Sequence, residues 1–548
     1  MSGINLTGVS DHWLHAINTI PSLQELHFVS CGLTQFPSEP TRDLTRCFIR
    51  GVNLGSQGGF ENMPSLTTLL VSTNTFVNTS SLLNGVSSLR NLHFLDVTGC
   101  HISDPILGTL QNMSHIVHLD LSYNYIVEEI PKSFSSLCNM TTLDLQSNHF
   151  SGDVSELLER FCECESPKLE LIALSHNYLT GRLPKKLARL KNLASIDIGY
   201  NMLTGILPRS LGNLSMLKIL DLRYNRLNGS LPESIGKLGK LSNLILDHNS
   251  LTGIVTENHF ANLTTLKSLL VGGNKLAFNL VNNWIPPFQL YELLIGSCNL
   301  GPLFPSWIQS QTNLIGLDLA NTNISDTIPN WIWSIFPSIY FNISHNNITG
   351  LLGDVTTFLG PGPVLDLSSN NFHGELPRNF SKLDLYYLDL SSNNLSGSLD
   401  QFLRSGIQES QQISVLNLAN NNISGGLPDC WMNWESLVIL SLENNKLSGR
   451  IPSSLGKVSS LESIYIRNNK LSGEIPLSLL NCKSLLVIKL AGNELTGRIP
   501  ASIGRNDSSL KILSLHSNKL EGKIPDELCG LNSIQILILL TTIFLGPY

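Results

Sequence analysis

The sequence predicts an α/β-type solenoid: a right-handed superhelix, or horseshoe, with a parallel β-sheet on its concave face and irregular or 3-10 segments on its convex side. Two observations predict this fold. The motif L-x-L-x-x-N-x-L returns through most of the 548 residues, and the segment L-[ST]-G-x-[IL]-P follows it in many repeats. A unit this short cannot bury its own leucine face, so neighbouring units must stack to form a core.

The Asn position of the motif, which we call the ladder slot, recurs between residues 74 and 518, and 12 of its 18 intervals are 24 residues long. A side chain that both donates and accepts hydrogen bonds can satisfy backbone groups of its own and the next coil, so we expect stacked, buried amides here. Cys100, Cys298 and Thr322 take the slot in three repeats, the cysteines as small structural thiols. Asn fills the others: Asn74, Asn124, Asn148, Asn177, Asn201, Asn225, Asn249, Asn274, Asn346, Asn370, Asn393, Asn421, Asn445, Asn469, Asn493 and Asn518.

Each half of the repeat has its own local structure. Leucines at alternate positions, such as Leu119 and Leu121, point inward from a short strand, and the intervening Asp120 faces solvent. In the second half, residues such as Gly449 permit a tight bend and Pro452 fixes a turn. We therefore predict a strand, a turn and a short irregular or 3-10 return, without a long helix.

We expect three segments along the chain. Residues 1–65 are irregular repeats without a cap, and within them residues 34–65 form a degenerate or looped-out coil. Residues 66–530 form a regular array of about 19 coils. Residues 531–548 are an off-pattern hydrophobic tail, interpreted as a last strand rather than the alternative, a membrane-associating segment. Terminal coils normally carry a polar cap, so we interpret the chain as an internal piece or a truncated gene model, without a signal peptide or a transmembrane span.

Composition and motifs argue against most other functions. Charged residues make up 14% of the chain and the net charge is −7, which is not the composition of a nucleic-acid binder. We find no catalytic or metal-binding motif, and so predict a non-enzyme without a cofactor or metal. Cys162 and Cys164 are interpreted as loop thiols, with pairing elsewhere left open. The aspartates between the strand leucines are interpreted as a solvated face: Asp96, Asp120, Asp144, Asp197, Asp221, Asp318, Asp366 and Asp389.

The position just before the ladder slot offers a candidate binding surface. In six consecutive coils it holds Tyr123, Ser147, His176, Tyr200, Tyr224 and His248, and Arg223 lies beside them. Rigid amphipathic rings backed by charge are typical of peptide and protein contact surfaces. The alternative is that these rings merely cover the turn. A second, weaker patch comprises Glu443, Tyr465, Arg467, Lys489 and Lys511.

The repeat L-x-x-L-x-x-L-x-L-x-x-N-x-L-[ST]-G-x-[IL]-P resembles the plant extracellular leucine-rich repeat. The opening MSGINLTGVSDHWLHAINTIPSLQELHFVSCGL and the late stretch GRIPASIGRNDSSLKILSLHSNKLEGKIPDELCGLNSIQIL resemble plant receptor-like proteins related to receptors for ethylene-inducing xylanase. Residues 34–65 depart from the pattern. The signal peptide, cysteine-paired cap, acidic juxtamembrane stretch and membrane span of that family are also missing, which leaves secretion, anchoring and signalling of this chain open.

The resemblance implies the ectodomain of a plasma-membrane receptor on the extracellular side, binding a peptide or protein ligand in defence signalling. It further implies a co-receptor kinase as partner if the full-length protein is anchored. Two alternatives stay open: a soluble inhibitor of cell-wall-degrading enzymes, and an ectodomain fragment of a receptor kinase.

Glycosylation is expected if the chain is secreted, because fourteen Asn-x-Ser/Thr sequons occur. Asn342 is an exception, since a glycan on its strand position would block the concave face. The candidates, chosen for their phase relative to the ladder slot, are Asn112, Asn213, Asn262, Asn323, Asn347, Asn394 and Asn422.

Overall fold

A computed structural model describes most of the chain. The residues described are 23–29, 44–50, 53–54, 63, 65–76, 85–110, 113, 115–131, 137–281, 283–335, 339–353, 364–378, 380, 385–405, 412–480, 482–504 and 509–539. The chain divides into two compact units, Met1–Phe288 and Gln289–Tyr548. The boundary between the units lies inside the repeat array.

Each unit contains parallel strands of one type, which we call the main-sheet strands. Their register is that of the repeat, because equivalent leucines of successive coils pair, as Ile196 does with Leu220 and Leu220 with Leu244. In the first unit the main-sheet strands are Glu25–Val29, Arg46–Arg50, Thr68–Leu70, Phe94–Asp96, His118–Asp120, Thr142–Asp144, Leu171–Ala173, Ser195–Asp197, Ile219–Asp221, Asn243–Ile245 and Ser268–Leu270. In the second they are Glu292–Leu294, Gly316–Asp318, Tyr340–Asn342, Val364–Asp366, Tyr387–Asp389, Val415–Asn417, Ile439–Ser441, Ser463–Tyr465, Val487–Lys489, Ile512–Ser514 and Ile536–Ile538. The predicted solenoid with a parallel sheet is confirmed.

The degenerate coil near the start of the chain contributes a strand to the main sheet. Its strand Arg46–Arg50 pairs in parallel with Glu25–Val29 on one side and Thr68–Leu70 on the other. Cys47 and Ile49 are buried in it, where other coils place leucine. Within residues 46–50, other apolar side chains therefore fill the inward positions of the repeat and keep this strand in register.

Short extended segments after the ladder slot form additional small parallel sheets, which the sequence did not predict. These second-sheet strands follow the Asn, and glycines such as Gly229 (φ 75°) and Gly253 (φ 95°) supply the left-handed backbone that they need. The strands are Asn53–Leu54 and Thr75–Phe76; Ser151–Asp153 and Tyr178–Thr180; Thr204–Ile206, Arg226–Ser230, Ser250–Val255 and Lys275–Phe278; Thr349–Leu351, Asn371–Glu375 and Asn394–Ser396; and Ser424–Gly426, Lys446–Gly449, Lys470–Gly473 and Glu494–Leu495.

The return side consists of short helices. Proline precedes many of them, as Pro208 and Pro232 do, because its φ suits the residue before a helix and its missing N–H is not needed there. The 3-10 helices are Lys185–Arg189, Arg209–Asn213, Glu233–Lys237, Glu257–Phe260, Ser306–Ser310, Asn330–Ser334, Trp431–Asn433, Ser453–Lys457, Ala501–Gly504 and Asp526–Gly530. Among the described residues, α-helical segments lie at 85–88, Leu107–Leu110, Val154–Phe161, Asp400–Ser405 and Leu477–Leu480.

The ladder slot ties each coil to the one before it. Asn201 Nδ2 donates to the carbonyl oxygens of Leu174 and Ile198 at 3.0 and 3.3 Å, and its Oδ1 accepts from the backbone N–H of Leu179 at 2.9 Å. Among the sixteen Asn of the slot, every Nδ2 donates to a carbonyl of the preceding coil. Cys100 Sγ makes the equivalent bond to the carbonyl of Val71 at 2.9 Å. Paired in this way, the backbone can turn into the leucine core without leaving polar groups unsatisfied.

The segment after residue 530 begins within the repeat pattern. Ile536–Ile538 pairs in parallel with Ile512–Ser514, and its three side chains are exposed. Residues 540–548 lie outside the described part of the chain. Among the residues that the structure describes, no helix is long and apolar enough to cross a bilayer.

Candidate functional site

Four rings of the candidate surface form one continuous stack, which we call the aromatic row: His176, Tyr200, Tyr224 and His248. Successive ring centroids lie 4.0, 4.4 and 4.2 Å apart, with interplanar angles of 12°, 13° and 19°. Tyr200 and Tyr224 remain 38% and 41% exposed. The rings therefore support one another while presenting their edges to solvent, an arrangement that pairs low conformational entropy with a large contact area.

The backbone of the turn holds the aromatic row in place. All four residues have a left-handed φ between 50° and 56°, which is costly for non-glycine residues. Each backbone N–H donates to a carbonyl of the next coil, as Tyr200 does to Arg223 and Tyr224 to Asp247, both at 2.9 Å. The parallel register then repeats this turn at the strand spacing, so side chains at this position fall into stacking distance.

Charged side chains lie beside the rings. Arg223 Nε donates to both carboxylate oxygens of Asp221, at 3.0 and 2.9 Å, and these side chains are only 27% and 14% exposed. Asp247 lies on the next coil. Its Oδ1 is buried and has no hydrogen-bond partner among the described residues. Burial raises the pKa of Asp247, whereas the Arg223 charge opposes that shift. The row thus borders one carboxylate that is paired with Arg223 and one half-buried carboxyl group, that of Asp247, without an ion pair among the described residues.

Of the predicted binding residues, Tyr123 is not part of the stack. It has the same left-handed backbone (φ 55°) and is 59% exposed. The next coil carries Ser147 at this position, so the stack begins at His176. The structure therefore brings together His176, Tyr200, Arg223, Tyr224 and His248, and leaves Tyr123 two coils away.

The aspartates between the strand leucines are not the solvated face that the sequence suggested. They are half-buried, and Asp389 is buried. Their Oδ1 atoms accept the backbone N–H two residues ahead, as Asp120 does from Ser122 at 2.9 Å. Burial, together with the neighbouring Asp120 charge, raises the pKa of Asp144 to about 7. The interpretation failed because periodicity fixes which face a residue occupies, but not how far the close strands desolvate it.

The second patch forms two separate contacts. Arg467 Nε and Nη2 donate to Glu443 at 2.6 and 3.2 Å, and Lys489 Nζ lies 5.1 Å from the ring centroid of Tyr465. Lys511 precedes the strand Ile512–Ser514 and is exposed. Because its cations are largely engaged already, this patch offers fewer free groups than the aromatic row.

The cysteines divide into one bridge and several isolated thiols. Cys164 forms a disulfide with Cys138, whereas Cys162 is buried as a free thiol whose pKa burial raises to about 11. Cys100 is likewise free and buried, with its pKa raised to about 12 by burial. A thiol with so high a pKa is a poor nucleophile and metal ligand. Among the described residues, no group of three or more His, Cys, Asp or Glu could hold a metal ion.

The glycosylation candidates are mostly accessible where the structure describes them. Asn213, Asn262, Asn323, Asn347 and Asn394 are exposed. Asn422 is half-buried, and its Nδ2 donates to Asn394 Oδ1. Asn112 lies outside the described residues. Asn342 Nδ2 is engaged with the Tyr340 hydroxyl at 3.0 Å on a main-sheet strand.

Comparison with known proteins identifies the repeat. Models described as Leucine rich repeat match residues 90–150, 167–227, 313–335, 364–383, 384–405, 412–434, 436–458, 460–482 and 509–531, about half of the chain. The chain belongs to the leucine-rich-repeat family. This leucine-rich-repeat chain is 34% identical over 185 residues to the receptor-like protein EIX2 of Solanum lycopersicum, an alignment that covers 33% of the chain but 18% of EIX2. That likeness supports the predicted resemblance to plant receptor-like proteins.

Solved leucine-rich-repeat ectodomains share the fold. The ectodomain of the membrane receptor kinase GASSHO1/SCHENGEN3 from Arabidopsis thaliana, in complex with CASPARIAN STRIP INTEGRITY FACTOR 2, matches with a TM-score of 0.76 and 26% identity, covering 95% of this chain and 68% of that one. The Arabidopsis receptor kinase HAESA, in complex with the peptide hormone IDA and the co-receptor SERK1, matches with a TM-score of 0.66 and 27% identity, covering 96% and 80%. The solved structures that are similar to this chain thus include receptor ectodomains in complex with ligands.

Proposed function

We propose that this leucine-rich-repeat chain is the recognition module of a plant cell-surface receptor-like protein and binds a peptide or protein ligand at the aromatic row. The observation that carries the proposal is the stack of four partly exposed rings beside the charged groups of Arg223 and Asp247. A merely structural ring would gain most from full burial, whereas pre-ordered edges beside charge suit recognition. We propose no catalytic step, cofactor, metal or nucleic-acid partner for the chain.

The similar receptor ectodomains support this proposal, because they are described in complexes with ligands. HAESA is described with a peptide hormone and a co-receptor, and GASSHO1/SCHENGEN3 with an integrity factor. By analogy, the parent protein would act on the extracellular side of the plasma membrane, with a peptide or protein ligand and a co-receptor kinase as partners. The likeness to EIX2 favours a receptor-like protein. Defence signalling is the role we propose on that likeness.

A second candidate is the ectodomain of a receptor kinase. Its support is the likeness to receptor-kinase ectodomains over 95–96% of this chain. Both candidates place the ligand on the same array and differ in what relays the signal. Sequencing the transcript that encodes this chain distinguishes them, since one requires a kinase domain downstream of the array.

We also propose that the exposed sequons carry N-glycans, because the proposed location of the chain is extracellular. Asn213, Asn262, Asn323, Asn347 and Asn394 are accessible to a transferase, and Asn112 and Asn422 complete the proposed set. The aromatic row contains no sequon, so glycans at these sites would not be attached to the rings themselves.

The test compares two pairs of exposed tyrosines. The chain is secreted from plant cells and used to capture peptides from plant apoplastic fluid, and the captured peptides are identified and synthesised. Replacing Tyr200 and Tyr224 by Ala removes the centre of the aromatic row, and we expect at least tenfold weaker binding of the captured peptide. The matched control replaces Tyr125 and Tyr178, which are 53% and 54% exposed, pack on His101 and His149, and lie outside the row.

Unfolding by urea is measured on all of the variants. If both pairs weaken binding equally, or if the row variant loses binding only in proportion to its loss of stability, the aromatic row is structural and the proposal fails.

A further inference from the structure

The aromatic row stops at the coil of Ser147, which lies between the coils of Tyr123 and His176. This residue shares the backbone of its neighbours, with φ 54°, and its N–H donates to the carbonyl of Ser175 at 2.8 Å. The preceding coil is equally regular, since the Tyr123 N–H donates to Gln146 O at 2.9 Å. The turn position is therefore present in the coil of Ser147, but it carries no ring.

The rings on either side leave a gap for one planar group. His176 stacks on Tyr200 at 4.0 Å with one face, and its other face points along the row towards the coil of Ser147. Tyr123 makes no ring contact within the described part of the chain. Two coil spacings separate Tyr123 from His176, about 8–10 Å, which is twice the ring spacing within the stack. The spacing between these two turn positions therefore matches the room that one planar group needs between two stacked neighbours.

The strands around the gap carry carboxyl groups, and burial raises the pKa of one of them, Asp144, to about 7. Asp120, Asp144 and Asp197 lie on the strands that lead to Tyr123, to Ser147 and to the coil beyond His176. The segments 94–99, 118–123, 142–147, 171–176 and 195–200 contain no Lys or Arg, whereas farther along Asp221 has its own Arg223. Asp221 and Asp247 both act on the pKa of Tyr200, so carboxylates at these strand positions are within electrostatic range of the row.

We propose that an arginine side chain of the peptide ligand inserts between Tyr123 and His176 and completes the stack above these carboxylates. The guanidinium group is planar, permanently charged and weakly hydrated, so it can stack on both faces while it pairs with carboxylates. Lysine has the charge without the plane, and an aromatic side chain has the plane without the charge. The inference rests on the proposed function and names the ligand group recognised at one end of the aromatic row.

The test introduces a tyrosine ring into the gap by substitution. Ser147→Tyr places at this turn a residue that Tyr123, Tyr200 and Tyr224 already show to be compatible with its φ. The probe is N-acetyl-arginine amide, observed by saturation-transfer difference NMR with the full chain, beside the citrulline analogue of the same shape but no charge. Ser147→Gly, which keeps the gap open, and Ser369→Tyr, at the same turn position in the second unit (φ 54°), are the controls.

We expect wild type, Ser147→Gly and Ser369→Tyr to give arginine signals about three- to tenfold above citrulline, and Ser147→Tyr to lose that excess. Equal signals for arginine and citrulline, or an undiminished arginine signal in a folded Ser147→Tyr chain, would overturn the proposal. If Ser147→Tyr does not fold, Tyr123→Ala removes one wall of the gap and must cause the same loss. Capture of peptides through Tyr200 and Tyr224 does not depend on these results, so failure of the gap and failure of the proposed function can be told apart.

Discussion

The same turn position carries rings in the first unit and amides in the second. In the second unit Asn444 Nδ2 donates to Asn420 Oδ1, and Asn468 Nδ2 to Asn444 Oδ1, both at 2.7 Å, with the same left-handed φ of 56°. We call these three residues the amide row. The backbone hydrogen bonds and the buried ladder slot are alike in both regions. The backbone of the coil therefore fixes the conformation of the turn, whereas the exposed side chain at the turn can differ from coil to coil.

The largest expected effect comes from the ladder slot rather than from either exposed row. Asn201→Ala leaves the buried N–H of Leu179 without its side-chain acceptor. It also removes one of the two amide donors that the carbonyls of Leu174 and Ile198 each receive. We expect a loss of about 3 kcal/mol in the free energy of unfolding, measured by urea titration. Asn444→Ala in the exposed amide row is the matched control and should cost less than about 1 kcal/mol. Similar losses in both variants would show that the exposed row helps to specify the turn.

Two carboxylates of the first unit, Asp144 and Asp221, should have smaller effects of opposite sign on the free energy of unfolding. Asp144 has Asp120 nearby and no cation, whereas Asp221 is paired with Arg223. Since burial raises the pKa of Asp144 to about 7, the folded chain binds more protons than the unfolded chain between about pH 4 and pH 7, and this group costs stability as the pH rises through that range.

Asp144→Asn should therefore raise the free energy of unfolding by roughly 1–2 kcal/mol at pH 8, an amount discounted for partial solvent access, and change it little at pH 4. Asp221→Asn removes the ion pair and should lower stability at pH 8. Urea titrations at the two pH values check both variants. A stabilisation by Asp144→Asn that is as large at pH 4 as at pH 8 would contradict the electrostatic cause.

Much of the fold was predictable because the period of the repeat fixes the register of every coil. The Asn slot, the inward leucines and the short return follow from the motif alone. The second-sheet strands were missed, because their pairing is carried by backbone groups around glycine and leaves no apolar alternation in the sequence. The disulfide between Cys138 and Cys164 was also missed, because Cys164 lies in a longer, irregular interval of the repeat, where the repeat phase does not indicate its neighbours.

The candidate site was predictable in part. Phase alone placed His176, Tyr200, Tyr224 and His248 in one row, but it could not show that their rings stack, because stacking depends on the left-handed turn. The repeat phase also grouped Tyr123 with them, and it did not indicate that Ser147, which lacks a ring, separates Tyr123 from the stack. The amide row carried a readable signal, Asn before Asn at 24-residue spacing, which the sequence-based prediction did not use.

Photo-crosslinking from the row tests the central claim most directly. p-Benzoylphenylalanine is introduced in place of Tyr224 in the aromatic row or in place of Tyr178 outside it, two tyrosines of comparable exposure. Each chain is irradiated with the captured apoplastic peptide, and the products are mapped by mass spectrometry. The account predicts a crosslinked peptide from position 224 and none from position 178. A crosslink from position 178 alone, or equal yields from both positions, would contradict it.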